Sequence, residues 1–339
     1  MKESAQKILV TGGTGMLGAH LLWHLLKDGA KVRAIKRENS SLTQIEFVFK
    51  FYDDSLDKYT KQLEWVEGDV LDYDSLERAM ENVKTVYHCA AIVSFSTKPR
   101  RLLDINIRGT QNIVYAVIKK DVGKLCFVSS IGALGKAEGG QLIDEETPWN
   151  SSENHSIYSE SKYLSEQVVW QAMKKGLNAV IINPGVILGV AEENNNSMKL
   201  FSSIQRGLPF YTKGGSGYVS VQDVCKAMIL LTSKRKKAQS YVLVSENLSN
   251  KEILSIIAKS FNKRPPFIKG TRFILMPIAF ILELFGKLLR TKALIDRGTV
   301  RVVLDQSYYS SEKIKKALGF EFMPIKDCVD GVSNFLKKT

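Results

Sequence analysis

Cysteine is scarce: four occur in 339 residues, Cys89, Cys126, Cys225 and Cys328, and no two form a CxxC pair. Scattered this widely, with three inside apolar runs, they argue against a disulfide framework and against a zinc site. They read as buried reduced thiols, and no metal is expected. Apolar runs of membrane length are missing as well. The stretch 273–282 has ten uncharged residues, against the roughly 20 that a spanning helix needs. A charged leader followed by an apolar block is also lacking. A strand-like run, Ile8-Leu9-Val10, comes within the first ten residues, so a cytoplasmic protein is expected. Neither an internal repeat nor a low-complexity tract is visible, which argues against solenoids and disordered arrays. Acidic residues are few in the last third: residues 230–339 hold 21 Lys+Arg against 9 Asp+Glu, nearly all of the net charge of +13. No nucleic-acid motif accompanies this basic half, and its charges alternate with apolar residues at helical spacing. We read it as a solvated basic face and expect no nucleic-acid partner.

What is present is the composition of an ordinary globular protein, 44% hydrophobic and 24% charged. The length suits two packed lobes. Strand-like runs at Lys7–Val10, Lys31–Ile35, Leu63–Glu67, Thr85–Cys89, Lys124–Val128 and Ala179–Asn183 alternate with helix-like stretches. The clearest of those helices are Met16–Lys27, Ser75–Glu81, Arg101–Lys119 and Tyr158–Lys175. Strict alternation implies βαβ units and a parallel sheet covered on both faces. The fold class expected is therefore α/β, a doubly wound parallel-sheet Rossmann fold with a smaller, mostly helical C-terminal substrate lobe. The cofactor-binding domain should occupy residues 1–185, and 215–245 should return to it. In that return, Tyr218–Val221 and Asp223–Thr232 read as one further strand and helix. Residues 186–339 should form the smaller substrate-binding lobe.

Thr11-Gly12-Gly13-Thr14-Gly15-Met16-Leu17-Gly18 follows the first strand and opens the first helix. Glycines at 12, 15 and 18 allow a tight turn, close approach of backbone to a pyrophosphate, and close helix–strand packing. Thr14, Gly15, Met16 and Leu17 stand where a helix N-terminus offers free N–H groups and a positive dipole end. Tyr158 and Lys162 are four apart on a helix, so phenol and ammonium can point at one site. A nearby cation favours the phenolate and would lower the Tyr158 pKa, giving a general acid for carbonyl reduction and a base for the reverse.

The TGxxGxxG spacing, with YxxxK and the strand-closing Val128-Ser129-Ser130, resembles the extended short-chain dehydrogenase/reductase superfamily. Val32–Arg37 and Tyr218–Asp223 are most similar to its dihydroflavonol-4-reductase-like branch, which also resembles cinnamoyl-CoA reductases and 3β-hydroxysteroid dehydrogenases. That resemblance implies that Asp69 and Val70 contact adenine and that Ala90 and Ala91 lie beside the cofactor with Ser129 and Pro184. It further implies that Ser130 bonds the substrate oxygen, that Lys162 also holds the nicotinamide ribose, and that Asn106, in Asn106-Ile107-Arg108-Gly109-Thr110, helps hold a relay water. Counting 24 residues on from Gly12, where NAD-specific extended relatives place an acid, reaches Lys36, with Arg37 next. Lys36 and Arg37 are expected to meet a 2′-phosphate, so NADP(H) is the expected cofactor. The neighbouring Glu38 leaves NAD(H) open.

The expected activity is hydride transfer between NADP(H) and a carbonyl or alcohol. The nucleotide-sugar epimerase/dehydratase branch is the enzymatic alternative. It is disfavoured because the Arg residues that grip a diphosphate are missing around Asn183–Gly189 and before Tyr218. A non-catalytic NADP(H)-sensing regulator is the alternative of another class, disfavoured because Tyr158 and Lys162 are both kept. The apolar segment Phe273–Leu289 reads as core or as the lining of a lipophilic substrate pocket. Packing of a homodimer and contact with a membrane surface are its other readings. His155, alone in a polar loop, reads as solvated.

Overall fold

A computed structural model describes residues 7–93, 99–137, 140–153, 155–193, 195–233, 239–273, 275–277, 300 and 303–339. The first half runs β1 (Lys7–Thr11), α1 (Met16–Lys27), β2 (Val32–Lys36), α2 (Thr43–Phe51), β3 (Leu63–Glu67), α3 (Tyr73–Ala79) and β4 (Val83–His88). It continues with α4 (Pro99–Leu103), α5 (Gly109–Lys119), β5 (Lys124–Val128), α6 (Ile157–Lys174) and β6 (Ala179–Pro184). Then come β7 (Val186–Leu188), α7 (Asn196–Gln205), β8 (Phe210–Tyr211), β9 (Gly215–Ser220), α8 (Val221–Ser233) and β10 (Gln239–Leu243). The described chain closes with β11 (Glu246–Ser249), α9 (Asn250–Ser260), β12 (Ile268–Lys269), α10 (Glu312–Leu318) and α11 (Ile325–Lys338).

Seven strands form the central sheet in the order β10-β6-β5-β4-β1-β2-β3, and every pairing in it is parallel. Side-chain alternation along each strand splits the core in two. Val10, Val32 and Ala34 meet α1, α2 and α8 on one face. Leu9, Ile35 and Phe127 meet α3, α5 and α6 on the other. This is the doubly wound Rossmann arrangement. Strand order reverses between β1 and β4, and that opening is where such sheets hold ligands.

Three features differ from the sequence reading. The strand that returns to the main sheet is Gln239–Leu243, paired with β6, whereas Tyr218 lies in a separate three-stranded sheet of order β11-β9-β7. The region after residue 190 holds short strands as well as helices, including the β12-β8 pair. Its own core gathers Leu188, Phe201, Ile257 and Val329. Finally, the helix expected over 101–119 is interrupted by a π turn at Asp104–Arg108. Most of the apolar segment expected over 273–289 falls outside the described residues. No helix among the described residues is long and apolar enough to cross a membrane, and no cluster there has the ligands for a metal ion.

Candidate functional site

The turn leaving β1 depends on glycine at two positions, 12 and 18. Gly12 has φ of +70°, and a Cβ on it would lie 2.6 Å from the Ala90 nitrogen. A Cβ on Gly18 would lie 2.1 Å from the Gly12 carbonyl oxygen. The turn therefore packs backbone to backbone against Ala90, which with Ala91 follows β4. Gly15 caps α1 without a side-chain hydrogen bond, and the first turn holds no acidic residue. Gly15 is exposed, and Thr14, Met16 and Leu17 are half-buried. The first-turn N–H groups are left to an outside acceptor. A pyrophosphate fits here, because the uncapped first turn of α1 carries no acidic residue and glycine at 12 and 18 lets the turn close against Ala90 and the helix.

Beyond the ends of β2 and β3 lie two adjoining clefts of about 580 and 340 Å³ that share Arg37 and Asp69. The larger also takes Glu38, Gly68 and Arg78, and the smaller takes Leu71, Arg100, Arg101 and Ile105. Asp69 uses one carboxylate oxygen to accept from the Leu71 N–H at 2.9 Å. Val70 is buried against Gly109. Lys36 lines neither cleft. Its backbone carbonyl accepts from the Gly68 N–H at 3.0 Å.

At the other end of the site, the Tyr158 hydroxyl is hydrogen-bonded to Ser130. Ser130 stands at the end of β5 and caps the short 3₁₀ turn Ile131–Ala133 by accepting from the Gly132 N–H at 3.0 Å. Lys162, buried one turn along α6, donates to the Val128 carbonyl at 2.7 Å and lies 5.0 Å from the Phe127 ring centroid. The expected depression of the Tyr158 pKa is reversed here: burial raises it, and a hydrogen bond with Ser130 opposes the rise. The reason is that the ammonium is engaged by a strand carbonyl and not by the phenol. Burial also lowers Lys162 itself to about 8.

Behind these groups runs a chain of hydrogen bonds. Thr11 Oγ1 lies 2.7 Å from His88 Nδ1, and His88 Nε2 lies 3.4 Å from Thr110 Oγ1. Thr110 donates to the Asn106 carbonyl at 2.6 Å. With that proton committed, Thr110 must accept from Nε2–H, which makes Nδ1 the acceptor from Thr11. Burial holds His88 neutral, with its pKa down at about 3. Asn106 is fully engaged. Its side chain bonds the Ile92 backbone and the Ser161 hydroxyl, and its carbonyl also accepts from Ser165. Glu166 joins the strand ends. It accepts from Ser129 at 2.6 Å and from Asn183 at 2.8 Å, and burial raises its pKa. Pro184 is buried next to Asn183. His155 is not solvated as expected: it stacks on Trp149 at 3.7 Å, and Trp149 stacks in turn on Tyr163 at 4.4 Å. That sandwich pins the loop in front of α6.

Residues 8–244 match the model of the NAD dependent epimerase/dehydratase family. The chain belongs to that family. This family member is similar over its whole length to a putative dihydroflavonol 4-reductase of Synechocystis sp., 29% identical with 96% of this chain and 93% of that protein covered. It is also similar to cinnamoyl-CoA reductase 1 of Petunia hybrida, 25% identical over 96% and 90% of the two chains. In fold it is similar to the dTDP-glucose 4,6-dehydratase of Bacillus anthracis, with TM-score 0.75, 18% identity, and 99% and 97% of the two chains covered. The protein is an extended short-chain dehydrogenase/reductase of an NAD-dependent family, as its motifs imply.

Behind the site of this epimerase/dehydratase family member, His88, Ser161, Ser165 and Glu166 take part in bonds that no motif marks, as do the hydroxyls of Thr11 and Thr110. For Glu166 a signal existed, since it lies four residues beyond Lys162 and so shares its helix face. Lys162 also gives a stability test. Its folded pKa of about 8 lies below the ordinary lysine value near 10.4. Between those pH values the unfolded chain binds more protons, so stability rises with pH. A Lys162→Met variant lacks this term. Urea titrations from pH 7 to 10 should show its stability relative to the wild type declining as pH rises above about 8. A constant difference would refute a buried, depressed ammonium.

Proposed function

We propose that this enzyme reduces a ketone or aldehyde to an alcohol with NADPH, or runs the reverse, with Tyr158 as the proton donor. The observation that carries this reading is the Tyr158 hydroxyl bonded to Ser130 at the end of β5, with Lys162 one turn behind it. A nicotinamide held beside Ala90, Ala91, Ser129 and Pro184 would supply the hydride. The chain's own residues do the rest. Gly12, Thr14, Gly15, Met16, Leu17 and Gly18 bind the pyrophosphate through N–H groups and the α1 dipole. Asp69 and Val70 hold the adenine. Ser130 orients the substrate oxygen by donating to it, and Tyr158 protonates that oxygen as charge develops. Burial keeps the phenol protonated in the cofactor-free protein, as a donor for reduction requires. Lys162 holds the nicotinamide ribose and keeps a positive charge behind the phenol. Asn106 positions α6 through Ser161 and Ser165. In this reading residues 1–185, joined by β10, form the cofactor half and residues 186–339 the substrate half, with a lipophilic substrate favoured.

The cofactor is NADP(H) in preference to NAD(H). Arg37 lines both clefts, and an acid in its place would repel a 2′-phosphate. A guanidinium can offer that phosphate a forked, charge-assisted pair. Such bonds contribute about 1.5–3 kcal/mol, so NADPH should bind at least about ten-fold more tightly than NADH. Titration of both cofactors into wild type and Arg37→Ala tests this. Tighter binding of NADH by the wild type, or unchanged NADPH affinity in the variant, overturns the preference. Activity is tested by screening aldehydes, ketones and hydroxysteroids with NADPH, and a clear preference for nucleotide sugars would replace the reductase reading.

A further inference from the structure

The segment after α9 is exposed in an unusual way. Asn262, Lys263 and Arg264 are exposed, then Phe267, Ile268 and Lys269, then Thr271, Arg272 and Phe273. Phe267 is 72% and Phe273 90% exposed, which a soluble surface does not favour for two aromatic side chains so close together. The neighbouring strand adds to the same patch. Ile268 pairs in register with Phe210, itself an exposed phenylalanine, and the Phe267 N–H bonds the Pro209 carbonyl.

Charge around these side chains has one sign. From Lys259 to Phe273 the sequence holds five basic residues and no acidic one. Lys213, two residues beyond β8, comes close enough to Lys269 that their mutual repulsion lowers the Lys269 pKa. None of Lys213, Lys263, Arg264, Lys269 and Arg272 pairs with a described acidic residue. Crowded cations without an acid create a potential that an array of anions relieves. Exposed aromatic and aliphatic side chains between them favour an occupant that is apolar just beneath its charge.

We propose that this edge of the second lobe docks on an anionic lipid bilayer, with Phe267, Ile268 and Phe273 entering the interface and the surrounding lysines and arginines meeting the headgroups. The contact is peripheral and reversible. A soluble polyanion would satisfy the charges but leave the phenylalanines in water, and a second copy of this chain would bring the same positive charge to the patch.

The test is flotation of the full-length protein with vesicles of phosphatidylcholine containing 30% phosphatidylglycerol, alongside vesicles of phosphatidylcholine alone. Binding is expected to the anionic vesicles only, and to weaken as salt is raised. The double variant Arg264→Gln/Lys269→Gln should lower the partition coefficient about thirty-fold, and Phe267→Ser about ten-fold or more. Thermal melting and NADPH titration of these variants show that the fold is intact. Absence of binding to anionic vesicles overturns the proposal. So does equal binding to both vesicle types, or binding indifferent to Phe267→Ser while heparin captures wild type and variant alike, which marks a polyanion site. Sedimentation showing a dimer that Phe267→Ser dissolves overturns it in favour of a second copy.

Discussion

A Tyr158→Phe variant is expected to bind NADPH as the wild type does and to turn over a carbonyl substrate about 10²–10⁴-fold more slowly. The ring keeps its packing and only the hydroxyl is lost, together with its hydrogen bond to Ser130. The effect should fall on kcat, because proton transfer belongs to the chemical step and not to binding. Direction matters too. Burial raises the Tyr158 pKa, so the protonated donor persists through neutral pH and alkaline conditions are needed to make the base. Wild-type alcohol oxidation should therefore rise with pH where reduction does not, and the variant should lose that rise. Near wild-type turnover by Tyr158→Phe would remove Tyr158 from the mechanism.

The second large effect is expected at Gly18. A Cβ there would lie 2.1 Å from the Gly12 oxygen and 2.7 Å from its carbonyl carbon, and both are backbone atoms that cannot swing aside. Gly18→Ala must force the turn after β1 away from α1. Overpacking of this kind typically costs about 1–3 kcal/mol of stability, and a displaced turn should weaken cofactor binding at least about ten-fold. Gly15→Ala is the contrast, since its Cβ would meet the same oxygen at an ordinary 3.4 Å. Melting temperatures and NADPH titrations of both variants should separate them clearly. Equal behaviour would show that close packing at Gly18 does not shape the site.

The parallel sheet was legible because each of its first six strands is a short apolar run that a helix separates from the next, and the chain reads in the order in which it packs. The last strand, Gln239–Leu243, was not legible. It joins β6 across a long sequence gap, and nothing local marks a strand as belonging to one sheet or another. The side sheets of two to six residues per strand give too short a period to separate from loop. The cofactor turn and the Tyr158–Lys162 pair were legible because their chemistry fixes spacing along one element. The polar groups behind them were not, since Thr11, His88 and Thr110 come from different elements and meet only through the fold. The direction of Lys162 was also hidden. Helical spacing aligned it with Tyr158, but the Val128 carbonyl at 2.7 Å was invisible along the sequence.

The π turn at Asp104–Arg108 has an angular consequence. Hydrogen bonds there close from i to i+5, so the helix carries one residue more than a regular α-helix of the same length. One residue turns a helix by about 100°, and α4 is therefore out of phase with α5 by about that angle. The surplus residue acts as a rotational spacer. It lets Asn106 turn inward to Ile92 and Ser161 while Arg100 and Arg101 still face the smaller cleft beside Arg37. In a chain one residue shorter within 104–108, those two demands would compete for the same helical face. Either the anchor of α6 or the cationic rim of the cleft beside Arg37 would then rotate out of place.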